Sequence, residues 1–136
     1  MDTQLRILLI EDDIDDVELL QETLDSMKVA YTMKVINDGD LVSGHLQGGA
    51  ALPDVIVMDL NLPKVHGKDI LKQIKAHPQY STIPVVVLTT SSSELDRSYT
   101  LNLGANNYLI KPTSTKGLVK VAETILKQAT GDNQSI

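Results

Sequence analysis

Short apolar runs and amphipathic stretches alternate along this chain, and the pattern predicts strands separated by helices. The apolar runs, rich in β-branched residues, cover 5–10, 29–36, 55–58, 83–88 and 107–110. The runs at 55–58 and 83–88 are almost continuously apolar, which is typical of strands buried on both faces. The run at 29–36 alternates apolar and polar side chains, which indicates a strand nearer the edge of a sheet.

Amphipathic stretches with helical spacing separate these runs. The first follows Asp13, a suitable N-cap, and carries Val17, Leu20, Leu24 and Met27 on one face. Four more helices are predicted, namely a short one at 41–46, one carrying Ile70, Leu71 and Ile74, one carrying Leu95, Tyr99 and Leu103, and one at 114–128. The Gly-rich segment at 48–53 is predicted to be a flexible connector.

Five strands that alternate with five helices predict an α/β fold, with a parallel sheet that carries helices on both faces. Right-handed crossovers leave few arrangements of such a doubly wound sheet, and the flavodoxin-like strand order 2-1-3-4-5 is common at this size. In that order the first and third strands are neighbours. The residues that follow them therefore meet at the carboxyl edge of the sheet, where open α/β sheets bind ligands.

Composition narrows the function. The chain has 136 residues, 42% of them apolar, so we expect one globular domain at 1–130 and a polar tail at 131–136. A net charge of −6 and scattered basic residues argue against direct DNA binding. Cys is absent and the three His are far apart in sequence, so a zinc site is not expected. Neither a membrane span nor a signal peptide is recognisable, which makes a cytoplasmic location the expectation.

Polar side chains follow four of the predicted strands. Glu11 and Asp12 follow the first, Asp59 the third, Thr89 the fourth and Lys111 the fifth. Each has a simpler structural explanation: the acids can cap a turn or favour a helix N-terminus, the threonine can cap a helix, and the lysine can lie on the surface with its stem buried. Their delivery by separate strands to one edge favours a shared site.

The chemistry of such a site follows from its groups. Three carboxylates that converge would repel one another unless protons or a cation neutralised them. Carboxylate oxygens without His or Cys favour Mg²⁺, or Mn²⁺, over zinc. A carboxylate such as Asp59 can attack phosphorus to form an aspartyl-phosphate, and a metal ion, the Thr89 hydroxyl and the Lys111 ammonium would stabilise the oxygen charge. A phosphoryl-transfer site is therefore one prediction for this edge.

Taken in order, these motifs resemble those of receiver domains from two-component response regulators, over about residues 5–128. The matching residues are the acidic pair Glu11 and Asp12, Asp59 within Met-Asp-Leu-Asn-Leu-Pro, Thr89, Tyr108, and the Lys111-Pro112 pair. The Leu-Asn-Leu-Pro after Asp59, the Gly-rich stretch before Pro53 and the Lys-Pro-Thr at 111–113 are similar to standalone receivers paired with phytochromes.

The resemblance implies roles in metal binding and phosphorylation. Asp59 would accept the phosphoryl group, with Mg²⁺ or Mn²⁺ as cofactor. Asp12, Asp59 and the backbone carbonyl of Asn61 would bind the metal ion, and Glu11 would act through a metal-bound water. The chain would be a signalling phospho-acceptor that assists its own phosphorylation and dephosphorylation, and not an enzyme acting on other substrates.

The resemblance also implies a switch. Lys111 would pair with the phosphoryl group, and the peptide bond between Lys111 and Pro112 would be cis. Thr89 would move inward on phosphorylation and Tyr108 would follow it, although an ordinary strand residue packed at a sheet edge would also explain Tyr108. The β-branched Thr90 beside the site predicts slow hydrolysis of the phosphorylated form.

Partners follow from the same resemblance. A sensor histidine kinase would donate the phosphoryl group, and the sub-family likeness makes a phytochrome a candidate. Since no effector domain is recognisable after residue 129, we expect output through a downstream protein, a phosphotransfer partner or a homodimer. The dimer would use the face of the fourth helix, fifth strand and fifth helix, and no membrane partner is expected.

Two other functional classes stay open. A receiver fold can serve as a phosphorylation-independent interaction module, which the complete set of acids, threonine and lysine argues against. A metal-dependent phosphohydrolase of small molecules ranks last, because the chain is short for the extra lobe that usually encloses such a substrate.

Overall fold

The five predicted apolar runs form the strands of one parallel sheet in a computed structural model that describes residues 4–49 and 51–131. The strands are β1 (Leu5–Ile10), β2 (Tyr31–Ile36), β3 (Val55–Met58), β4 (Val85–Thr89) and β5 (Asn107–Ile110). Their order is β2-β1-β3-β4-β5, and every neighbouring pair is parallel. The predicted doubly wound, flavodoxin-like fold is confirmed.

Helices connect the strands. They are α1 (Ile14–Ser26), α2 (Val42–Gln47), α3 (Gly67–Ala76), α4 (Glu94–Asn102) and α5 (Thr115–Thr130), and a short 3-10 turn (Gly39–Leu41) precedes α2. The Asp13 carboxylate accepts backbone hydrogen bonds from Asp15 and Asp16, so it caps α1 as predicted. Of the predicted polar tail, only Gly131, which ends α5, lies within the described residues. No helix in the described ranges combines the length and apolar composition needed to cross a membrane.

Strands β2 and β4 each begin two residues later than predicted, and the backbone before each strand accounts for the difference. The backbone of Lys28 has φ 59°, a left-handed conformation that turns the chain after α1. The residues after it complete the connection, so β2 begins at Tyr31 rather than at residue 29. Pro84 has no N–H to donate to a sheet, and β4 accordingly begins at Val85, although the Pro84 carbonyl accepts a 2.9 Å hydrogen bond from Ile56.

Alternate residues of the strands fill two cores, one on each face of the sheet. On one face the strands pack against α2 and α3, and the fully buried residues there include Ile56, Met58, Ile70, Leu71, Ile74 and Tyr80. On the other face they pack against α1 and α5, and the buried residues there include Ile7, Val57, Leu20, Leu24, Ala122 and Ile125. The sheet is therefore covered by helices on both faces.

Helix α4 presents a different face to the protein from the one predicted. Leu95 is 82% exposed and Tyr99 is 38% exposed, whereas Thr100 is fully buried. The Thr100 hydroxyl donates to the carbonyl of Asp96 within the same helix, over 2.9 Å, so its burial leaves no polar group unpaired. Of the predicted apolar stripe, only Leu103 packs against the core. Apolar side chains of α4 therefore remain on the surface.

Candidate functional site

The carboxyl ends of β1 and β3 bring three carboxylates together. Glu11 and Asp12 directly follow β1, and Asp59 directly follows β3, in a register that pairs Ile10 with Met58. The Asp59 N–H donates to the carbonyl of Ile10 over 3.1 Å, which keeps the two strand ends in contact. One oxygen from each acid lies within 4.8 Å of the others. The predicted convergence of the three acids is therefore present.

The three carboxylates differ in burial and in charge. Glu11 and Asp59 are 3% and 5% exposed, whereas Asp12 is exposed. Burial raises the pKa of Glu11 to about 7, although the hydrogen bonds it accepts from Lys111 and from the Asp13 N–H oppose this effect. Burial acts on the pKa of Asp59 in the same direction, but hydrogen bonds from Lys111 and other donors outweigh it and lower the pKa. Asp59 is therefore ionised at neutral pH.

Lys111 follows β5 and places its ammonium among carboxylates. Its Nζ lies 2.9 Å from Oε1 of Glu11, 2.7 Å from Oδ2 of Asp16 and 2.8 Å from Oδ2 of Asp59. Burial disfavours the charged ammonium, but the hydrogen bonds to these three acids outweigh it and raise the pKa of Lys111. The side chain is 13% exposed, so the alternative of a surface lysine with a solvated head does not describe it.

Asp16 is part of this arrangement, and sequence reasoning did not identify it. It lies in the first turn of α1, where an acid is commonly explained by the helix dipole. Its position in the sequence could have indicated this role. Asp16 lies one helical turn before Leu20 and two turns before Leu24, both of which are buried against the sheet. An acid on the buried face of an amphipathic helix requires a partner, and here that partner is Lys111.

Thr89 ends β4 and is fully buried, and its side chain helps to lower the pKa of the nearby Asp59 carboxyl. Its Oγ1 accepts the N–H of Ser91 over 3.3 Å. The side-chain amide of Asn61 lies 3.5 Å from Oγ1 of Thr89 and 3.4 Å from Oγ1 of Thr90. The Asn61 N–H donates to Oδ1 of Asp59 over 3.1 Å. The prediction for Asn61 concerned only its backbone carbonyl, whereas its side chain also reaches the two threonines.

Tyr108 lies in the interior on β5, with only 7% of the residue exposed. Its hydroxyl donates a hydrogen bond of 2.8 Å to the carbonyl of Ser91. The ring is thus already buried next to the loop that follows β4, so an inward movement that follows Thr89 does not start from an exposed ring in this structure.

The peptide bond between Lys111 and Pro112 is trans, since the described backbone contains no cis peptide bond. The prediction of a cis bond is therefore wrong. The trans form of an X–Pro bond is favoured by about 0.5–1 kcal/mol. The Lys111 N–H, which belongs to the preceding peptide unit, donates to the carbonyl of Thr89 over 2.8 Å. Pro112 packs closely on the start of α5, where a Cβ added to Gly117 would lie 2.6 Å from the proline Cβ.

The donor set fits a hard divalent cation. Among the described residues the cluster contains only carboxylates, with neither His nor Cys. Oxygen ligands of this kind favour Mg²⁺ or Mn²⁺ over zinc. Glu11 and Asp59 each pair one oxygen with Lys111, and the other oxygen of each accepts one backbone N–H. Each of these oxygens has a second lone pair, and Asp12 is exposed, so the acids keep lone pairs for a cation.

In sequence, residues 7–123 match the family model of the response regulator receiver domain. The response regulator Rcp1 of Synechocystis sp. is 38% identical over 124 residues, which covers 88% of this chain and 84% of Rcp1. FilR2, a probable methanogenesis regulatory protein of Methanothrix harundinacea, is 37% identical over 133 residues, which covers 95% of this chain and 86% of FilR2. The similarity extends along nearly the whole chain.

Solved structures of response regulators are also similar to this chain. The phosphorylated cyanobacterial phytochrome response regulator RcpA matches with a TM-score of 0.87 and 32% identity, over 97% of this chain and 98% of RcpA. The Mn²⁺-bound form of Rcp1 matches with a TM-score of 0.81 and 37% identity, over 90% of this chain and 91% of Rcp1. Sequence and structure therefore agree on one family.

Proposed function

The chain belongs to the family of response regulator receiver domains, and we propose that it is a phosphoryl-accepting switch of two-component signalling. In this proposal one receiver domain accounts for residues 1–130, and Asp59 is the phospho-acceptor. The observation that carries the proposal is the position of Asp59, whose Oδ2 lies 2.8 Å from the ammonium of Lys111 and whose carboxylate belongs to an acidic cluster.

Asp59 would act as a nucleophile toward a phosphohistidine. The hydrogen bonds that lower the pKa of Asp59 keep its carboxylate ionised, as a nucleophile requires. A carboxylate oxygen would form a bond to phosphorus while the phosphorus–nitrogen bond breaks, and the electron pair of that bond would return to the imidazole. The product would be an aspartyl-phosphate on Asp59.

Lys111 and Thr89 would stabilise the phosphoryl oxygens. Lys111 carries a positive charge within hydrogen-bond distance of Asp59, and the buried Thr89 hydroxyl lies beside the same carboxylate. Placed donors of this kind act on oxygen charge without reorganising during the reaction. Both residues would thus favour transfer and the phosphorylated state.

A divalent cation, Mg²⁺ or Mn²⁺, would be held by Asp12, Asp59 and the backbone carbonyl of Asn61, with Glu11 acting through water. The ion would supply positive charge to the phosphoryl oxygens. The all-carboxylate cluster supports this assignment, as does the Mn²⁺ bound to Rcp1.

The switch would run from Thr89 to Tyr108. A phosphoryl group on Asp59 would draw the Thr89 hydroxyl toward it and away from the N–H of Ser91. Ser91 also holds the hydroxyl of Tyr108 through its carbonyl, so a shift of this residue would reach β5. Phosphorylation would then change the populations of two arrangements of the loop after β4.

We propose a sensor histidine kinase as the phosphoryl donor, and the similarity to a phytochrome response regulator favours a phytochrome as that kinase. Output would pass through a homodimer, a downstream protein or a phosphotransfer partner at the face of α4, β5 and α5. Leu95 on α4 and Ile110 on β5 are 82% and 47% exposed, and such apolar side chains support a contact surface. Light scattering with and without beryllofluoride tests the dimer, and a monomer in both states would reject it.

Phosphotransfer from candidate histidine kinases, with and without Mg²⁺, tests the central proposal. The wild type is compared with Asp59→Asn, which keeps the shape of the side chain and removes the nucleophilic carboxylate. We expect the labelled phosphoryl group to be transferred to the wild type only, and only when Mg²⁺ is present. Acetyl phosphate is used in parallel, so that a mismatched kinase is distinguished from an inactive acceptor.

Label on Asp59→Asn equal to that on the wild type, or no label on the wild type from any donor, would reject the proposal. Full biological activity of Asp59→Asn would instead favour the phosphorylation-independent interaction module.

A further inference from the structure

The ammonium of Lys111 has three N–H donors and lies against three carboxylates. Asp16 and Asp59 accept hydrogen bonds from it, and Glu11 forms an ion pair with it. The distances are 2.9 Å to Glu11, 2.8 Å to Asp59 and 2.7 Å to Asp16. Glu11 and Asp59 belong to the acidic cluster at the ends of β1 and β3, and Asp16 does not. Asp16 is therefore the one partner of Lys111, among the described residues, that the metal and phosphoryl groups would leave untouched.

We propose that Asp16 is a positioning residue that holds the Lys111 ammonium at the site while Glu11 and Asp59 engage the metal ion and the phosphoryl group. This inference rests on the proposed function. A lysine ammonium sits on a flexible four-carbon stem, and holding it in one place costs conformational entropy. A fixed anion on the side away from the metal cluster reduces that cost, because it keeps one N–H engaged and leaves the others aimed at the site.

The backbone around Asp16 is held in place by capping hydrogen bonds and by packing of α1 on the sheet. Oδ1 of Asp13 accepts the N–H groups of Asp15, over 2.9 Å, and of Asp16, over 3.3 Å, which fixes the first turn of α1. One turn later Leu20 is 2% exposed and fastens the helix to the sheet. The side chain of Asp16 is 33% exposed and reaches Lys111 across the gap between α1 and the end of β5.

Asp15 provides a matched control. It lies in the same first turn and carries the same charge, but it is exposed and Lys111 forms its three ion pairs with other residues. Asp15→Ala and Asp16→Ala therefore remove equal charge from the same end of α1. Asp16→Asn keeps the shape of the side chain and an acceptor oxygen for Lys111, and removes only the charge.

The test is the affinity for beryllofluoride, a mimic of the phosphoryl group, at saturating Mg²⁺. We expect Asp16→Ala to weaken binding about tenfold, the effect of one hydrogen bond between charged groups. Asp15→Ala should change it less than about twofold, and Asp16→Asn should lie between them. The side-chain ¹H–¹⁵N signal of Lys111 gives a second readout, since an anchored ammonium exchanges slowly. That signal should survive in Asp15→Ala and broaden in Asp16→Ala.

Equal or tighter beryllofluoride binding by Asp16→Ala, or an unchanged Lys111 signal, would overturn the inference and leave the proposed function intact. If Asp16→Ala does not fold, the test uses Asp16→Asn instead. Wild-type affinity for beryllofluoride together with an unchanged Lys111 signal in Asp16→Asn would then overturn the inference. Absence of beryllofluoride binding by the wild type would reject the proposed function as well, so the two failures can be told apart.

Discussion

The hydroxyl of Tyr108 donates a 2.8 Å hydrogen bond to the carbonyl of Ser91, whose own N–H donates to Oγ1 of Thr89. One residue thus links the buried threonine of the site to the aromatic residue of β5. Because both contacts use the backbone of Ser91, we expect a movement of the Thr89 hydroxyl to change the environment of Tyr108.

Tyr108→Phe removes the hydrogen bond and keeps the ring. We expect the free energy of unfolding to fall by about 1 kcal/mol, because the partly buried carbonyl of Ser91 loses its partner. Amide hydrogen exchange at 90–93 should also become faster. Urea denaturation and hydrogen exchange measure these effects, with Tyr99→Phe as the control on an exposed tyrosine. Equal stability of the two variants would contradict the role of this hydrogen bond.

The side chain of Ser91, in the loop between β4 and α4, makes a second set of contacts. Nζ of Lys68 on α3 lies 2.6 Å from Oδ1 of Asp96 on α4, and Oδ2 of Asp96 accepts the Ser91 hydroxyl over 2.6 Å. Asp96→Ala should therefore speed amide exchange at Ser91 and lower the free energy of unfolding by about 1 kcal/mol, since the pair is partly exposed. Glu94→Ala removes an exposed acid from the same turn and should leave the exchange unchanged.

Thr90 lies at the mouth of the site, with Oγ1 3.4 Å from the side-chain amide of Asn61. We expect Thr90→Ala to shorten the lifetime of the phosphorylated form several-fold, because a smaller side chain admits water more easily. Thr90→Ser separates the two parts of the side chain, since it keeps the hydroxyl and removes the methyl group. A lifetime that is unchanged in Thr90→Ala, measured by loss of label from Asp59, would show that Thr90 does not limit access.

Gly67 begins α3 directly against the segment that carries Asp59. A Cβ added at Gly67 would lie 2.5 Å from Cα of Leu60 and 2.7 Å from the carbonyl oxygen of Asp59. Both neighbours are backbone atoms, so Gly67→Ala should displace the loop and lower the free energy of unfolding by about 1–3 kcal/mol. Gly44→Ala is the control, because a Cβ there meets no atom within 4 Å, and chemical denaturation should find it no less stable than the wild type.

Much of this architecture could be predicted from local pattern. The apolar runs and the acids after them specify parallel strands that end at one edge, and Asp13 and Ser114 cap their helices through side-chain chemistry that sequence reveals. The convergence of Glu11, Asp12 and Asp59 then follows from strand order alone, because the first and third strands are adjacent.

The details that escaped prediction depend on contacts between distant segments. Asp16 and Lys111 are 95 residues apart and meet only when α1 packs beside α5 and the ends of the parallel strands lie at one edge of the sheet. The buried face of α4 centres on Thr100, whose burial is tolerated because its hydroxyl bonds within the helix, so apolar content alone selected the wrong face. The trans bond before Pro112 is a different case, because the two isomers of an X–Pro bond differ little in energy and no residue pattern identifies which one forms.

Glu11 should make the stability of the metal-free protein depend on pH. Its pKa is raised to about 7 by burial, from an ordinary value of 4.5. Below pH 4.5 the carboxyl is protonated in both states, and between pH 4.5 and 7 only the folded state keeps the proton. The free energy of unfolding should therefore fall as pH rises through this window, relative to Glu11→Gln, by an amount on the order of 1–3 kcal/mol.

Urea denaturation in EDTA at pH 4.5, 6 and 8 measures this dependence for the wild type and Glu11→Gln. The glutamine cannot titrate but can still accept a hydrogen bond from Lys111, so the difference between the two proteins isolates the proton on Glu11. Lys111 stays charged throughout the window, because its pKa is raised by its acidic partners, and it adds no slope of its own. Parallel stability curves for the two proteins would mean that Glu11 is ionised in the folded state, with Lys111 fully compensating its burial.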